Sequence, residues 1–168
     1  GDIVLRLLHR PATEEQRQYF KANAEFSEVI EMRAMARSVG KTKTRTLVEL
    51  KAVDNAYPLI GAMALNGNTP LDKVLAKKDG IWGAAVESNL LVKLKVKLGD
   101  ILQIGESQFR LTGIIEKEPD RVANVLSFGP RLMIASEGLA TTKLIQPGSQ
   151  IRYRYRINVP NGENATAW

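Results

Sequence analysis

Hydrophobic and polar positions alternate through two long stretches in the first third of the chain. Residues 29–39 place apolar side chains at every second position, and residues 46–53 repeat the pattern. A period of two is typical of half-buried strands. The polar loop between the stretches, residues 40–44, favours an antiparallel hairpin. The second strand is expected to turn Val48, Leu50 and Ala52 towards the core and Glu49 and Lys51 towards solvent.

A helical signal lies just before this hairpin. Residues 3–8 form an apolar run that predicts a strand, and Thr13 and Gln16 then have the spacing of a capping box. This spacing predicts a helix from about residue 14 to residue 24. Tyr19 and Phe20 share one side of that helix, so its apolar face is narrow and is expected to cover a sheet.

The remainder of the chain is divided into short elements by turn-forming residues. Further helices are predicted at residues 71–78, at 88–94 and near Glu137, and further strands at 84–87, 101–104, 108–116, 130–135 and 151–159. This mixture predicts an α+β fold. We expect one α+β lobe from residues 1–80 and 121–160, a smaller inserted β-rich lobe from residues 81–120, and a flexible tail at 161–168.

The composition limits the chemistry that the chain can perform. Its 168 residues are 44% hydrophobic and 25% charged, close to the average of globular domains. There is no cysteine and His9 is the single histidine, so a zinc site is nearly excluded. Neither a phosphate-binding glycine loop nor a Gly-x-Ser-x-Gly motif is present in the sequence. We therefore expect no enzyme activity, no catalytic residue and no metal or cofactor site in this domain.

The hydropathy pattern also shows whether the sequence contains a candidate membrane-spanning helix. No apolar run reaches the ~18 residues that a membrane-spanning helix needs. The chain begins within a predicted strand and without an initiator methionine. We expect it to be a mature form or an excised piece of a longer protein.

The charge balance is basic, with a formal net charge of +6. Such a balance admits nucleic acid, anionic lipid or an acidic protein as partner. In the last predicted strand Arg152, Arg154 and Arg156 alternate with Tyr153 and Tyr155. Base stacking needs aromatic and basic groups on one surface, whereas a strand sends alternate side chains to opposite faces. We expect buried tyrosines, an exposed arginine row and no nucleic-acid binding.

Acidic residues gather where the predicted β-rich lobe ends. Glu116, Glu118 and Asp120 alternate there with Lys117 and Arg121. General acid–base chemistry needs two carboxyl groups held in one cleft, and the spacing alone does not indicate one. The pattern is typical of a loop whose neighbouring charges neutralise each other.

A series of short segments runs in order along almost the whole chain. It comprises Gly1-Asp2-Ile3, Met32 to Arg37, Val48 to Asp54 with Tyr57-Pro58-Leu59, Leu98-Gly99-Asp100 with Gly105 and Phe109, Glu118 to Arg121, Gly129 to Ile134, and Gly148-Ser149 before Arg152 to Tyr155. Together these segments resemble the periplasmic core domain of MacB/FtsX-type ABC transporter permeases. They are most similar to the YbbP-like branch of that family.

The resemblance implies a domain between the first and second membrane spans of a permease. Its two lobes would be those called porter and sabre in the family, on the periplasmic side of the bacterial inner membrane. ATP would be bound by a separate cytoplasmic ATPase subunit, and its closure would move the domain as a rigid body. The implied activity is export or extraction of a hydrophobic or lipid-like substrate, with a periplasmic partner protein.

Within this resemblance, the connection at residues 118–128 is the candidate partner or hinge surface. Arg121 and Phe128 are its candidate residues. The alternative interpretation is a free-standing basic module that binds nucleic acid or anionic lipid. A salt-dependent shift of nucleic-acid mobility would favour that alternative.

Overall fold

The computed structural model describes residues 2–121 and 129–160 of the chain. Ten strands and four α-helices lie within these ranges, and a short 3-10 turn lies at Asn66–Asn68. The elements are β1 (Asp2–Leu8), α1 (Glu14–Asn23), β2 (Glu25–Ser38), β3 (Arg45–Val53), β4 (Ala64–Leu65), α2 (Leu71–Leu75), β5 (Lys77–Lys78), β6 (Ile81–Val86), α3 (Ser88–Leu94), β7 (Ile101–Ile104), β8 (Ser107–Lys117), β9 (Arg131–Ala135), α4 (Ser136–Thr142) and β10 (Arg152–Asn158). The α+β fold class predicted from the sequence is confirmed.

The strands form one mixed sheet in the order β1-β10-β2-β3-β9-β6-β8-β4, with β5 beside β6. Two neighbouring pairs, β3 with β9 and β6 with β8, run parallel, and the other paired strands run antiparallel. β1 is an edge strand that pairs with β10. The first and last strands therefore lie side by side, and their ladder ends at the pair Asp2 and Asn158.

Six strands of this sheet close into a ring. β2 pairs in turn with β3, β3 with β9, β9 with β6, β6 with β8, β8 with β7, and β7 returns to β2. The larger core cluster draws side chains from all six strands, among them Leu50, Leu102 and Leu132, which are fully buried. Segment 81–120 is thus hydrogen-bonded on two sides to the rest of the sheet. The division of the chain into two lobes stays a prediction.

The hairpin of β2 and β3 is present as predicted. The strands pair antiparallel from Val29 opposite Val53 to Arg37 opposite Arg45. Ala36, Val48, Leu50 and Ala52 are fully buried on the core face, as the alternation requires. The first strand is longer than predicted, because its start at Glu25 pairs with the end of β10 at Asn158.

Helix α1 also follows its sequence signal. The amide of Gln16 donates to Oγ1 of Thr13 at 3.2 Å, and the amide of Thr13 donates to Oε1 of Gln16 at 2.9 Å, which completes the capping box. Phe20 is buried, with its ring centroid 6.1 Å from that of Tyr155. The narrow apolar face of α1 therefore covers the sheet over β10.

The alternation in β10 separates tyrosines from arginines as expected. Tyr153 and Tyr155 are buried in the larger core cluster. Arg152 lies exposed on the opposite face, with Arg154 and Arg156 half-buried beside it. No stacking platform for bases is formed by these residues.

Two predicted boundaries near residue 80 are wrong. The helix predicted at 71–78 ends at Leu75, because Lys77 and Lys78 form β5 and pair with Trp82 and Ile81. The strand predicted at 84–87 begins earlier, at Ile81, for the same reason. A cross-strand partner that lies only a few residues ahead outweighs the local helical pattern here.

The described ranges contain no helix that is both long enough and apolar enough to cross a bilayer. The predicted flexible tail at residues 161–168 lies outside the described residues.

Candidate functional site

The most unusual polar feature of the molecule is Lys51 on β3. Its side chain is fully buried, so the expectation that it faces solvent is wrong. The outer face of β3 is covered at this end by the segment after β3, which carries Tyr57, and by the segment after β8, which carries Glu118 and Asp120. Burial of a lysine is costly unless the ammonium is fully paired.

Lys51 has such pairing. Its Nζ donates to Oε1 of Glu118 at 2.6 Å and lies 2.8 and 2.9 Å from the two carboxylate oxygens of Asp120. The hydroxyl of Tyr57 lies 3.0 Å from the same Nζ and itself donates to Oδ1 of Asp120 at 2.6 Å. Glu118 receives a further bond from Nε of Arg131 on β9 at 3.0 Å. We call Lys51, Tyr57, Glu118, Asp120 and Arg131 the anchor cluster.

The acidic residues of the anchor cluster do not form the self-neutralising loop that their spacing predicted. Glu118 and Asp120 pair with a lysine 67 and 69 positions earlier in the chain. Glu116 and Lys117 are exposed instead. The reason is that β8 ends at Lys117, and the chain then folds back over the outer face of β3.

The electrostatics of the anchor cluster favour the charged carboxylate of Asp120. Burial alone would raise the pKa of Asp120, but attraction to Lys51 and the hydrogen bonds from Lys51 and Tyr57 outweigh burial and lower that pKa. Burial and the hydrogen bond to Asp120 raise the pKa of Tyr57 well above its ordinary value. Tyr57 therefore remains a protonated donor, and each charge in the cluster has an opposite partner.

We expect acid to weaken the fold through Asp120. Because its pKa is lowered on folding, its contribution is present above the unfolded pKa and is lost as the pH falls through the folded pKa. Urea unfolding between about pH 5 and about pH 2 should show a falling free energy of unfolding. The fall should be smaller in Asp120→Asn and unchanged in the exposed control Glu116→Gln. An Asp120→Asn variant with the same acid dependence as the parent chain would contradict this assignment.

The predicted partner or hinge residues lie next to the anchor cluster. Arg121 is half-buried and forms an ion pair with Glu87, whose other oxygen accepts the amide of Arg131 at 3.1 Å. Phe128 lies outside the described residues. At Gly129, an added Cβ would lie 2.5 Å from the carbonyl oxygen of Leu47, so the chain here packs directly on β3. The residues on both sides of segment 122–128 are therefore fixed to the sheet.

Sequence reasoning missed the anchor cluster, although two residues carried a signal for it. Val29 and Val53 share the outer face of the hairpin with Lys51, and both are buried in a second, smaller core cluster. Apolar residues on a predicted solvent face indicate that something covers it. In the described ranges, no group of three or more acidic or histidine side chains is placed to hold a metal ion.

Comparison with known structures places this fold in one class. The extracellular domain of the noncanonic ABC-type transporter YknZ from Gram-positive bacteria superimposes with a TM-score of 0.62 over 93% of this chain and 77% of its own, at 15% identity. The periplasmic region of MacB from Actinobacillus actinomycetemcomitans superimposes with a TM-score of 0.54 over 90% of this chain and 65% of its own, at 12% identity. The fold is that of the MacB-like extracytoplasmic domains.

The sequence points to the same class. No family model matches the chain. The ABC transporter permease YbbP of Escherichia coli (strain K12) is 32% identical over 114 residues, which are 68% of this chain and 13% of that protein. The chain thus spans a small part of the length of this relative. It belongs to the extracytoplasmic domains of MacB/FtsX-type ABC transporter permeases, and the resemblance seen in its segments is confirmed.

Proposed function

We propose that this domain couples ATP binding and hydrolysis on a cytoplasmic ATPase subunit to export or extraction of a hydrophobic or lipid-like substrate. The domain stands on the periplasmic side of the bacterial inner membrane, between two membrane spans of its permease. It moves as a rigid body and performs no reaction itself. ATP is held by the ATPase subunit, and this domain requires no cofactor.

The position of the chain ends supports this proposal. Asp2 at the start of β1 pairs with Asn158 at the end of β10, so the chain enters and leaves the sheet at neighbouring points. The Cα atoms of such antiparallel pairs lie about 5 Å apart. A domain held at one such point can be inserted between two consecutive membrane spans, and both spans then act on the same end of the sheet.

The closed ring of strands supports the proposal that the domain moves as a rigid body. A domain transmits motion from one end to the other only when its strands do not slide past one another. The ring joins β2 and β3 to β6, β7 and β8 through continuous hydrogen bonding. The anchor cluster adds buried ion pairs between β3, β9 and the segment after β8. Movement at the β1–β10 end therefore reaches the far side of the ring.

The connection at residues 118–128 is the proposed contact with a periplasmic partner protein. Its first residues are fixed by the anchor cluster and by the Arg121–Glu87 pair. Its last residue precedes Gly129, which packs on β3. A segment held at both sides on a rigid sheet suits a partner surface, with Arg121 and Phe128 as its proposed residues.

The proposal is tested in the full permease reconstituted in vesicles with its ATPase subunit. We expect ATP-dependent loss of a fluorescent lipid-like probe from the bilayer. Deletion of this domain should abolish that loss while the permease still assembles with the ATPase. Binding of ATP by this chain in calorimetry, or unchanged probe loss after the deletion, would count against the proposal.

Arg121 should be needed for coupling. We expect Arg121→Ala to lower probe loss per ATP hydrolysed by about tenfold, the effect of losing one well-placed contact of about 1.4 kcal/mol. Lys143→Ala is the matched control, because its pair with Glu106 is largely exposed and lies away from the connection. Equal coupling in the two variants would remove Arg121 from the proposed partner surface. Thermal unfolding of the isolated variants separates lost coupling from lost folding.

A further inference from the structure

A group of arginines lies on the face of the sheet opposite helix α1. Arg6 on β1 stands directly opposite Arg154 on β10 in the antiparallel ladder. Arg156 follows on the same face and stands opposite Val4. We call Arg6, Arg154 and Arg156 the arginine patch.

The arrangement of the arginine patch costs stability. Like charges directly opposite each other on antiparallel strands repel. Arg154 has long contacts with acidic groups, 3.5 Å to Glu31 and 3.7 Å to Asp120. Among the side chains described in residues 3–121 and 129–160, no carboxylate lies within ion-pair distance of Arg6 or Arg156. Arg6 and Arg156 therefore carry positive charges that no ion pair within those residues neutralises.

The arginine patch lies at the end of the sheet where the chain enters and leaves. Arg156 is two residues from Asn158 and Arg6 is four residues from Asp2, the pair that ends the ladder. At a rise of about 3.3 Å per residue these separations are about 7 and 13 Å. The first is within the distance of about 8 Å over which an anionic surface acts at physiological salt.

Apolar side chains accompany these arginines. Val4, opposite Arg156, is 38% exposed. The loop residues Leu59 and Ile60 line the same shallow depression as Arg154 and Arg156, and Ile60 is 39% exposed. Cationic groups beside exposed apolar groups are the composition of surfaces that lie against lipid headgroups.

We propose that the arginine patch binds the phosphate groups of anionic phospholipids on the bilayer from which the chain emerges. The patch orients the domain on that surface and fixes the resting position from which it moves. Nucleic acid is disfavoured as the occupant, because Tyr153 and Tyr155 are buried on the opposite side of β10. The inference rests on the proposed function in one respect, since that function places the bilayer next to the end of the sheet formed by β1 and β10.

The test measures binding of this 168-residue chain to vesicles by cosedimentation. One vesicle preparation contains equal parts of phosphatidylglycerol and phosphatidylcholine, and the other contains phosphatidylcholine alone. The test variant is Arg6→Gln with Arg156→Gln, which leaves the ion pairs of Arg154 in place. The control variant is Arg37→Gln with Arg45→Gln. These two exposed arginines also lie directly opposite each other, on the antiparallel strands β2 and β3. Arg37 lies ten residues along β2 from the partner of Arg156, about 33 Å away.

We expect binding to the phosphatidylglycerol vesicles and none to phosphatidylcholine alone. An arginine near the surface is worth about a fivefold change in affinity, so the test variant should bind at least about fivefold more weakly, with Arg156 as the larger contributor. The control variant, with the same change in net charge, should lose less than about twofold. Equal losses in both variants would overturn the inference, because the attraction would then be diffuse. Absence of vesicle binding together with binding of a single-stranded oligonucleotide would overturn it as well.

This measurement has no transport readout. Failure of vesicle binding would therefore leave the proposed coupling function standing. Failure of the probe-loss experiment with intact vesicle binding would leave the arginine patch standing. Thermal unfolding of both double variants should match that of the parent chain, since all four substituted arginines are exposed or half-buried.

Discussion

Replacement of Lys51 by methionine should destabilise the domain by about 3–5 kcal/mol, the range for removal of one partner from a buried ion pair. Methionine has nearly the same length as lysine and lacks its charge. Glu118 and Asp120 would then lie buried beside an apolar group, with Arg131 as the remaining close cation for Glu118. Urea unfolding followed by circular dichroism gives the change in free energy from the shift of the midpoint.

The matched control is Lys43→Met in the exposed loop between β2 and β3, which should change stability by less than about 0.5 kcal/mol. A second variant, Lys51→Met with Glu118→Gln and Asp120→Asn, removes the uncompensated carboxylate charges together with the lysine. It should be more stable than Lys51→Met alone. A loss below about 1 kcal/mol for Lys51→Met would show that the cluster does not hold the segment after β8 to β3.

Local patterns predicted those parts of the fold whose determinants lie close together in the chain. The β2–β3 hairpin follows from two alternating stretches and a short polar loop. Helix α1 follows from the Thr13–Gln16 capping box. In both cases the interacting residues are neighbours in sequence, so composition and spacing carry the information.

The anchor cluster could not be predicted in the same way. Whether Lys51 is exposed depends on what covers the outer face of β3, and the carboxylate of Glu118 that pairs with it lies 67 residues later in the chain. Alternation shows only that Lys51 faces away from Leu50. Val29 and Val53, on the same face, were the local signs that this face is covered near its end.

The two halves of the functional conclusion rest on different kinds of information. The expectation of a domain without catalytic equipment comes from residue types, such as the absence of cysteine and the single histidine. Family membership comes from an ordered series of segments, and the fold and the similarity to a permease confirm it. The arginine patch could be recognised only from the register of β1 against β10, because Arg6 and Arg154 are far apart in sequence and face each other in the ladder.

Gly83→Ala should cost about 3 kcal/mol, the upper part of the range for overpacking a well-packed site. Gly83 lies on β6, and a Cβ there would overlap the backbone carbonyl oxygen of Val74 in helix α2 and approach Oγ1 of Thr112 to 2.8 Å. That carbonyl already accepts the Thr112 hydroxyl at 2.6 Å. Helix α2 also packs closely on Gly113 of β8, since a Cβ added there would lie 2.8 Å from Cγ1 of Val74.

The obstacle at Gly83 is backbone, which cannot rotate away as a side chain can. Relief therefore requires α2 to lift from β6 and β8, and this would open the smaller core cluster that contains Val74 and Leu75. Gly40→Ala is the control, because nothing lies within 4 Å of its added Cβ and its φ is outside the positive region. It should change stability by less than about 0.5 kcal/mol.

Both variants are compared by urea unfolding and by amide hydrogen exchange. Exchange should accelerate in α2 and in β6 of Gly83→Ala and stay unchanged in β1 and β10, because the disturbance begins at the helix contact. Equal stability of Gly83→Ala and Gly40→Ala would mean that α2 does not rest directly on the strands. The β6–β8 part of the ring would then lack the cover that the rigid-body proposal requires.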